Sequence, residues 1–124
     1  MAAPNIVNVT SIYGKTAYVA LSSTNATTVV NNAASSGKVF KVNTIIVANV
    51  DGTSAADISI NLYSQDNIAG TAYAIANTIS VPADASLAVL DKASAIYLEE
   101  DKSIGATAGA ADDPVVICSA HEMA

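Results

Sequence analysis

The sequence predicts an all-β protein: a single-domain antiparallel β-sandwich of immunoglobulin-like or jelly-roll-like type. Three observations carry this expectation. Apolar residues recur with period two wherever a period can be read, which places them on one face of an extended segment. Short runs of this kind follow one another at roughly even spacing, separated by Gly, Pro, Asn, Asp and Ser. No helical period with a credible cap interrupts them, beyond a single turn near 83–86 or 91–94.

From the N-terminus, NIVNVTSI (5–12) and TAYVALSS (16–23) read as two strands around a Tyr13-Gly14-Lys15 turn. Residues 24–37, TNATTVVNNAASSG, are small and polar, with only Val29 and Val30 as anchors. They read as a short strand in a flexible connection, or as a segment that orders against a neighbour. One domain over 1–124, with 1–37 a looser N-terminal segment, is the resulting organisation. VFKVNTIIVANV (39–50) reads as a long strand with Phe40, Val42, Thr44, Ile46, Ala48 and Val50 inward, and Lys41, Asn43 and Asn49 outward. In DISINLYS (57–64), Ile58, Ile60 and Leu62 oppose Asp57, Ser59, Asn61 and Tyr63, and this strand is expected to pair with its predecessor.

TAYAIANTISV (71–81) sets Tyr73, Ile75, Ile79 and Val81 against Ala and Thr, and Pro82 ends it by removing a ladder donor. ADASLAVLD (83–91) contributes Leu87 and Val89, AIYLEE (95–100) Ile96 and Leu98, and SIGATA (103–108) Ile104 and Ala106. The last run, PVVICSAHEM (114–123), alternates Val115, Ile117 and Ser119 with Val116, Cys118 and Ala120, so both of its faces are expected to be partly covered.

A chain of 124 residues closes one core, and one built from small branched side chains, because 52% of residues are hydrophobic but only 5% aromatic. The charged fraction of 13% is about half the roughly 25% of ordinary soluble domains. Much of the surface is therefore Ala, Ser, Thr and Asn, or is covered by another protein, and a homo-oligomer is expected. A net charge of −6 with five scattered lysines, Lys15, Lys38, Lys41, Lys92 and Lys102, argues against a nucleic-acid partner. No apolar run approaches the roughly 20 residues of a membrane span, and MAAPNIVNVT lacks the charged start and apolar middle of a secretory signal. The single Cys118 has no internal partner, as suits a protein completed in a reducing compartment, and without a secretory signal the sequons at Asn8 and Asn25 read as coincidences of an Asn/Thr-rich sequence.

Each candidate site has a simpler reading. Asp51 and Asp57 in DGTSAAD offer too few oxygen ligands for a calcium loop, so Asp51-Gly52 reads as hairpin chemistry, with Gly at positive φ and Asp bonding its own backbone. Glu99, Glu100 and Asp101 form the densest charge cluster, but adjacent strand residues point to opposite faces, against an acid–base pair; a solvated turn or one half of an ion pair with Lys is expected. Asp112-Asp113 reads as a turn before Pro114. His121 is the only histidine, and three residues from Cys118 it faces the other side of a strand, so neither a catalytic dyad nor a closed metal set is expected. The five tyrosines stand singly and make no platform for bases or sugars. No catalytic, metal or cofactor-binding residue is assigned, no cofactor is expected, and the chain is not expected to be an enzyme.

The stretches "VNTIIVANVDGTSAADISINLYS", "NTISVPADASLAVLDKASAIYLEEDKSIGATAGA" and "VVICSAHEM" together resemble small virion structural proteins of tailed bacteriophages, especially those of marine cyanobacteria. The likeness covers about residues 40–122. It rests on the order of an Asn-bearing strand, an acidic Gly turn, a strand ending "SVPA", a "YLEE" corner and a final strand. The chain departs from that pattern at the corner, with Asp101-Lys102 where Gly-Asp is expected. The resemblance implies a capsid decoration or cement protein on the outer capsid surface, made in the host cytoplasm, with the major capsid protein or other virion proteins as partners. The alternatives are a tail, neck or fibre-associated module, or a host-surface carbohydrate-binding module. Residues 24–37 and the edge strands are the expected contacts.

Overall fold

The computed structural model describes residues 5–124. Its nine strands are β1 (Ile12–Ala20), β2 (Thr27–Asn32), β3 (Val39–Asn49), β4 (Ala56–Tyr63), β5 (Ala72–Val81), β6 (Ser86–Leu90), β7 (Ile96–Leu98), β8 (Lys102–Ala108) and β9 (Pro114–Met123). A 3-10 turn, Lys92–Ser94, separates β6 from β7. The strands form two antiparallel sheets around a shared apolar core, the predicted β-sandwich. The first sheet runs β1-β9-β3-β6, with β7 also paired to β3; the second runs β2-β8-β4-β5. Leu21, Ile45, Ile58, Ile60, Leu98 and Ile104 are the largest apolar side chains fully buried between them. Burying each contributes about 1.5–3 kcal/mol.

Four local expectations change. There is no turn at Tyr13-Gly14-Lys15: β1 runs straight through it, paired without a break to β9 from Ile12↔Met123 to Ala20↔Val115. That ladder outweighs the roughly 0.5–1 kcal/mol that a glycine costs within a strand. Residues 5–11 are turns and bends, not a separate strand.

The second change is in β3, where the inward set switches phase. Phe40 and Val42 face the core, but Ile45, Val47 and Asn49 then replace Thr44, Ile46, Ala48 and Val50 as the inward residues. The cause is a bulge at Asn43: Val42 pairs with Ala120 and Thr44 with Ser119, leaving Asn43 as an extra residue. One added residue exchanges the faces of everything beyond it.

Third, β3 and β4 do not pair. They lie in opposite sheets, and the segment between them is a crossover. Asn49, at the end of β3, donates from Nδ2 to the carbonyls of Ser54 (2.9 Å) and Val81 (3.0 Å) and accepts from the Asp51 N–H (3.0 Å). It therefore holds the chain where it leaves one sheet for the other. Asn32 does the equivalent from β2, donating to the carbonyls of Lys38 and Leu98.

Fourth, Tyr73 and Ile79 of β5 are exposed, while Ala76 and Val81 are buried. Thr78 adopts φ +51 beside a register shift, and its N–H bonds Ser59 Oγ at 2.9 Å. Tyr63 is also buried, at 9% exposure, because the β4–β5 loop folds back over the outer face of the second sheet. Ile68 N–H donates to Ser103 Oγ, whose hydroxyl donates to the Gln65 carbonyl, and the Ile68 side chain lies against Gly105. In β9, Val116, Cys118 and Ala120 face inward, and Ile117 is exposed.

Candidate binding surface

The outer face of the first sheet can be built row by row from strand register. Beyond Ile12, Met123 and Val39 at one end, the last two of them buried, the first of four open rows sets Gly14, His121, Lys41 and Tyr97 side by side. The next row is Thr16, Ser119 and Thr44, then Tyr18, Ile117, Ile46 and Ala88, and last Ala20, Val115, Ala48 and Ser86. The third row is apolar and open to solvent: Tyr18 is 80% exposed, Ile117 40% and Ile46 38%. An apolar band of this kind on a rigid sheet is suited to docking.

Its electrostatics differ from those of the whole chain. The four rows carry Lys41 and His121 and no carboxylate, although the chain bears eleven acidic residues. Glu122, near the end of β9, pairs with Lys38 at 3.4 Å. The remaining acids sit in connections or, for Asp57, on the second sheet.

The acidic residues singled out in the sequence are dispersed. Asp51 Oδ1 accepts from Thr53 N–H (2.8 Å), Thr53 Oγ1 (2.9 Å) and Ser54 N–H (3.4 Å). The Thr53 backbone bond, then its hydroxyl, then the Ser54 N–H hold this carboxyl below its usual range. Asp51 thus bonds its own backbone as expected, but Gly52 does not take positive φ, because the segment is a crossover and not a hairpin. Asp57 lines a shallow groove of about 180 Å³ on the second sheet with Ser59, Thr78, Thr107, Ala108 and Gly109.

Asp101 has φ +57 and accepts from the Asp66 N–H at 3.2 Å. It takes the left-handed conformation at the corner position where the resembled pattern has glycine, and Asp is one of the side chains that tolerate it. Glu99 is exposed, whereas both Glu100 carboxylate oxygens are shielded without a hydrogen-bond donor. Asp112 sits in a turn at φ +67 with its N–H on the Leu21 carbonyl.

Cys118 and His121 occupy opposite faces of β9. Burial pushes the Cys118 thiol up to about 11, leaving it neutral and unreactive near pH 7. Among the described residues, no group of three His, Cys, Asp or Glu side chains is placed to hold a metal ion. The exposed tyrosines, Tyr13, Tyr18, Tyr73 and Tyr97, are spread over β1, β5 and β7. Sequence reasoning missed the Tyr18–Ile117–Ile46 row, because the bulge that turns Ile46 outward has no sequence signal beyond an Asn within an apolar run.

No protein-family model matches the chain, and no curated protein does either. Among solved structures it is similar to a protein of Bacillus endospore appendages, described as a novel family of disulfide-linked pili. The TM-score is 0.53 at 15% identity, over 91% of this chain and 88% of that one, a likeness of fold. A second similarity, to the Drosophila NLP core studied for pentamer formation and histone binding, has a TM-score of 0.45 at 14% identity over 89% and 96% of the two chains.

Proposed function

We propose that the chain is a virion structural protein, a capsid decoration or cement protein that binds the outside of an assembled shell at many equivalent sites. The observation that carries this reading is the open apolar row Tyr18–Ile117–Ile46 on the outer face of the first sheet. The resemblance of residues 40–122 to phage virion proteins supports it. The mechanism is linkage: a protein that binds only the assembled lattice shifts the equilibrium toward that lattice, by an amount set by its concentration relative to Kd. The major capsid protein is the partner, and it would present an apolar patch flanked by acidic groups, complementary to Lys41 and His121.

The test is quantitative mass spectrometry of purified particles with a binding assay on shells lacking this protein. One or a few copies for each major shell subunit support the reading. A count of about six or twelve per particle, as rotational symmetry of a tail sets, moves the protein to the tail or neck. Tyr18→Lys is expected to weaken shell binding by about tenfold or more, since a central exposed aromatic is the usual anchor of such contacts. Unchanged binding by that variant overturns the assignment of this face.

A further inference from the structure

The edge of the first sheet carries a second surface. β1 is an edge strand of nine residues, bonded on one side to β9. The direction of its backbone groups follows from the ends of that ladder. Ser11 and Ala124 exchange both N–H···O bonds at 3.0 Å, and Leu21 N–H donates to the Pro114 carbonyl at 3.0 Å. The register between them is unbroken. Odd-numbered residues of β1 therefore bond β9, and Ile12, Gly14, Thr16, Tyr18 and Ala20 turn their N–H and C=O groups to the open edge. Among the described residues no strand pairs with that edge. It contains no proline, and its only charge is Lys15, so it lacks most devices that keep an edge from pairing.

We infer that this edge pairs antiparallel with the same edge of a second copy, about a two-fold axis at Thr16. In that register Thr16 faces Thr16 of the second copy, Gly14 faces Tyr18, and Ile12 faces Ala20. All five residues that point to the open edge fall into hydrogen-bonded pairs, giving about ten new backbone bonds. The side chains match as well. Tyr18 is 80% exposed, and space for a Cβ at Gly14 meets nothing within 4 Å. Tyr18 of each copy covers Gly14 of the other, the arrangement by which a cross-strand aromatic shields a strand glycine. Lys15 faces Ala17, so no like charges stand directly opposite. The pairing joins two first sheets into one continuous sheet and doubles the outer face. It deepens the proposed function by naming how copies meet, and it is tested on the pure protein, so its failure is distinguishable from failure to bind shells.

Cysteine cross-linking tests the register. At Thr16 the two Cα atoms would lie about 5.5 Å apart, within the roughly 4.4–6.8 Å that a disulfide spans. At Tyr18 the two copies would be separated by roughly 13 Å along the strand. Under copper-catalysed air oxidation, Thr16→Cys is expected to form a covalent dimer at least about tenfold faster than Tyr18→Cys. A mixture of Gly14→Cys and Tyr18→Cys is expected to form the heterodimer. Cys118 is buried and protonated and gives a quiet background. Sedimentation should show a concentration-dependent dimer that Thr16→Pro dissociates, because that N–H lies on the open edge and its loss leaves the β9 ladder intact. A chain monomeric up to about 1 mM, equal cross-linking at 16 and 18, or a folded Thr16→Pro that stays dimeric overturns the inference.

Discussion

Asn49→Ala is the substitution whose cost can be worked most directly from the structure. The side chain is 2% exposed and makes three hydrogen bonds at the crossover from β3 to β4. Truncation leaves the Val81 carbonyl, Ser54 carbonyl and Asp51 N–H without this partner. The latter two are near solvent and can recover a bond to water, but the bond to Val81 is buried. At about 1 kcal/mol for each bond lost, and up to about 3 for a buried group left unpaired, the expected loss is about 2–4 kcal/mol. That is a large part of the roughly 5–15 kcal/mol by which a domain is stable. Chemical unfolding followed by circular dichroism should show a lower midpoint with unchanged slope, and Tm should fall by roughly 10 °C. Asn25→Ala, on an exposed bend, is the control and should stay within about 0.5 kcal/mol of wild type. A loss below about 1 kcal/mol at Asn49 would refute its role in holding the two sheets together.

Three further outcomes follow from particular contacts. Gly105→Ala should destabilise by about 1–3 kcal/mol in the same unfolding assay, because a Cβ there would approach Ile68 Cγ2 to 2.8 Å and Tyr63 Cε2 to 2.9 Å. The folded Cys118 thiol should resist alkylation near neutral pH and react once denatured. Its raised value also means that stability is full below about 9 and falls as pH rises from there through about 11, since the unfolded chain releases the proton first. The Asp51 carboxyl is held below its ordinary 3.8, so its contribution is present above that pH and is lost as pH falls through the lower folded value. Asp51→Asn should flatten that acid limb of a stability–pH curve.

Much of the fold was legible in the sequence, because alternation needs only local information. Ile58 and Ile60, Leu98, Ile104 and Ala106 all lie inward as the period implied. What was hidden depends on pairing across the sheet. The bulge at Asn43 exists because β9 matches β3 on either side of it, and neither strand shows this alone. Gly14 carries the local signature of a turn, yet sits mid-strand because β9 offers it an uninterrupted ladder. The crossover after Asn49 likewise looks locally like a hairpin, since an acidic Gly-bearing loop serves both purposes. The outer surface was less legible than the core for the same reason: the bulge exchanges which residues of β3 are outside.

That exchange ties the core to the candidate surface. Beyond Asn43 the alternatives were Ile45, Val47 and Asn49 inward, or Thr44, Ile46 and Ala48. The observed set buries two branched residues and Asn49, which finds three hydrogen-bond partners there, and it leaves Ile46 beside Ile117 and Tyr18. The opposite phase would bring Ile46 into the core, expose Ile45 and Val47, and strip the crossover of its Asn49 bonds. Selection of the inward set by packing and hydrogen bonding therefore also specifies the apolar outer row. Because the carboxylates lie in connections, on the second sheet (Asp57) or at the end of β9 (Glu122), and not in the outer rows, the same chain remains strongly acidic while exposing one weakly basic, apolar sheet face.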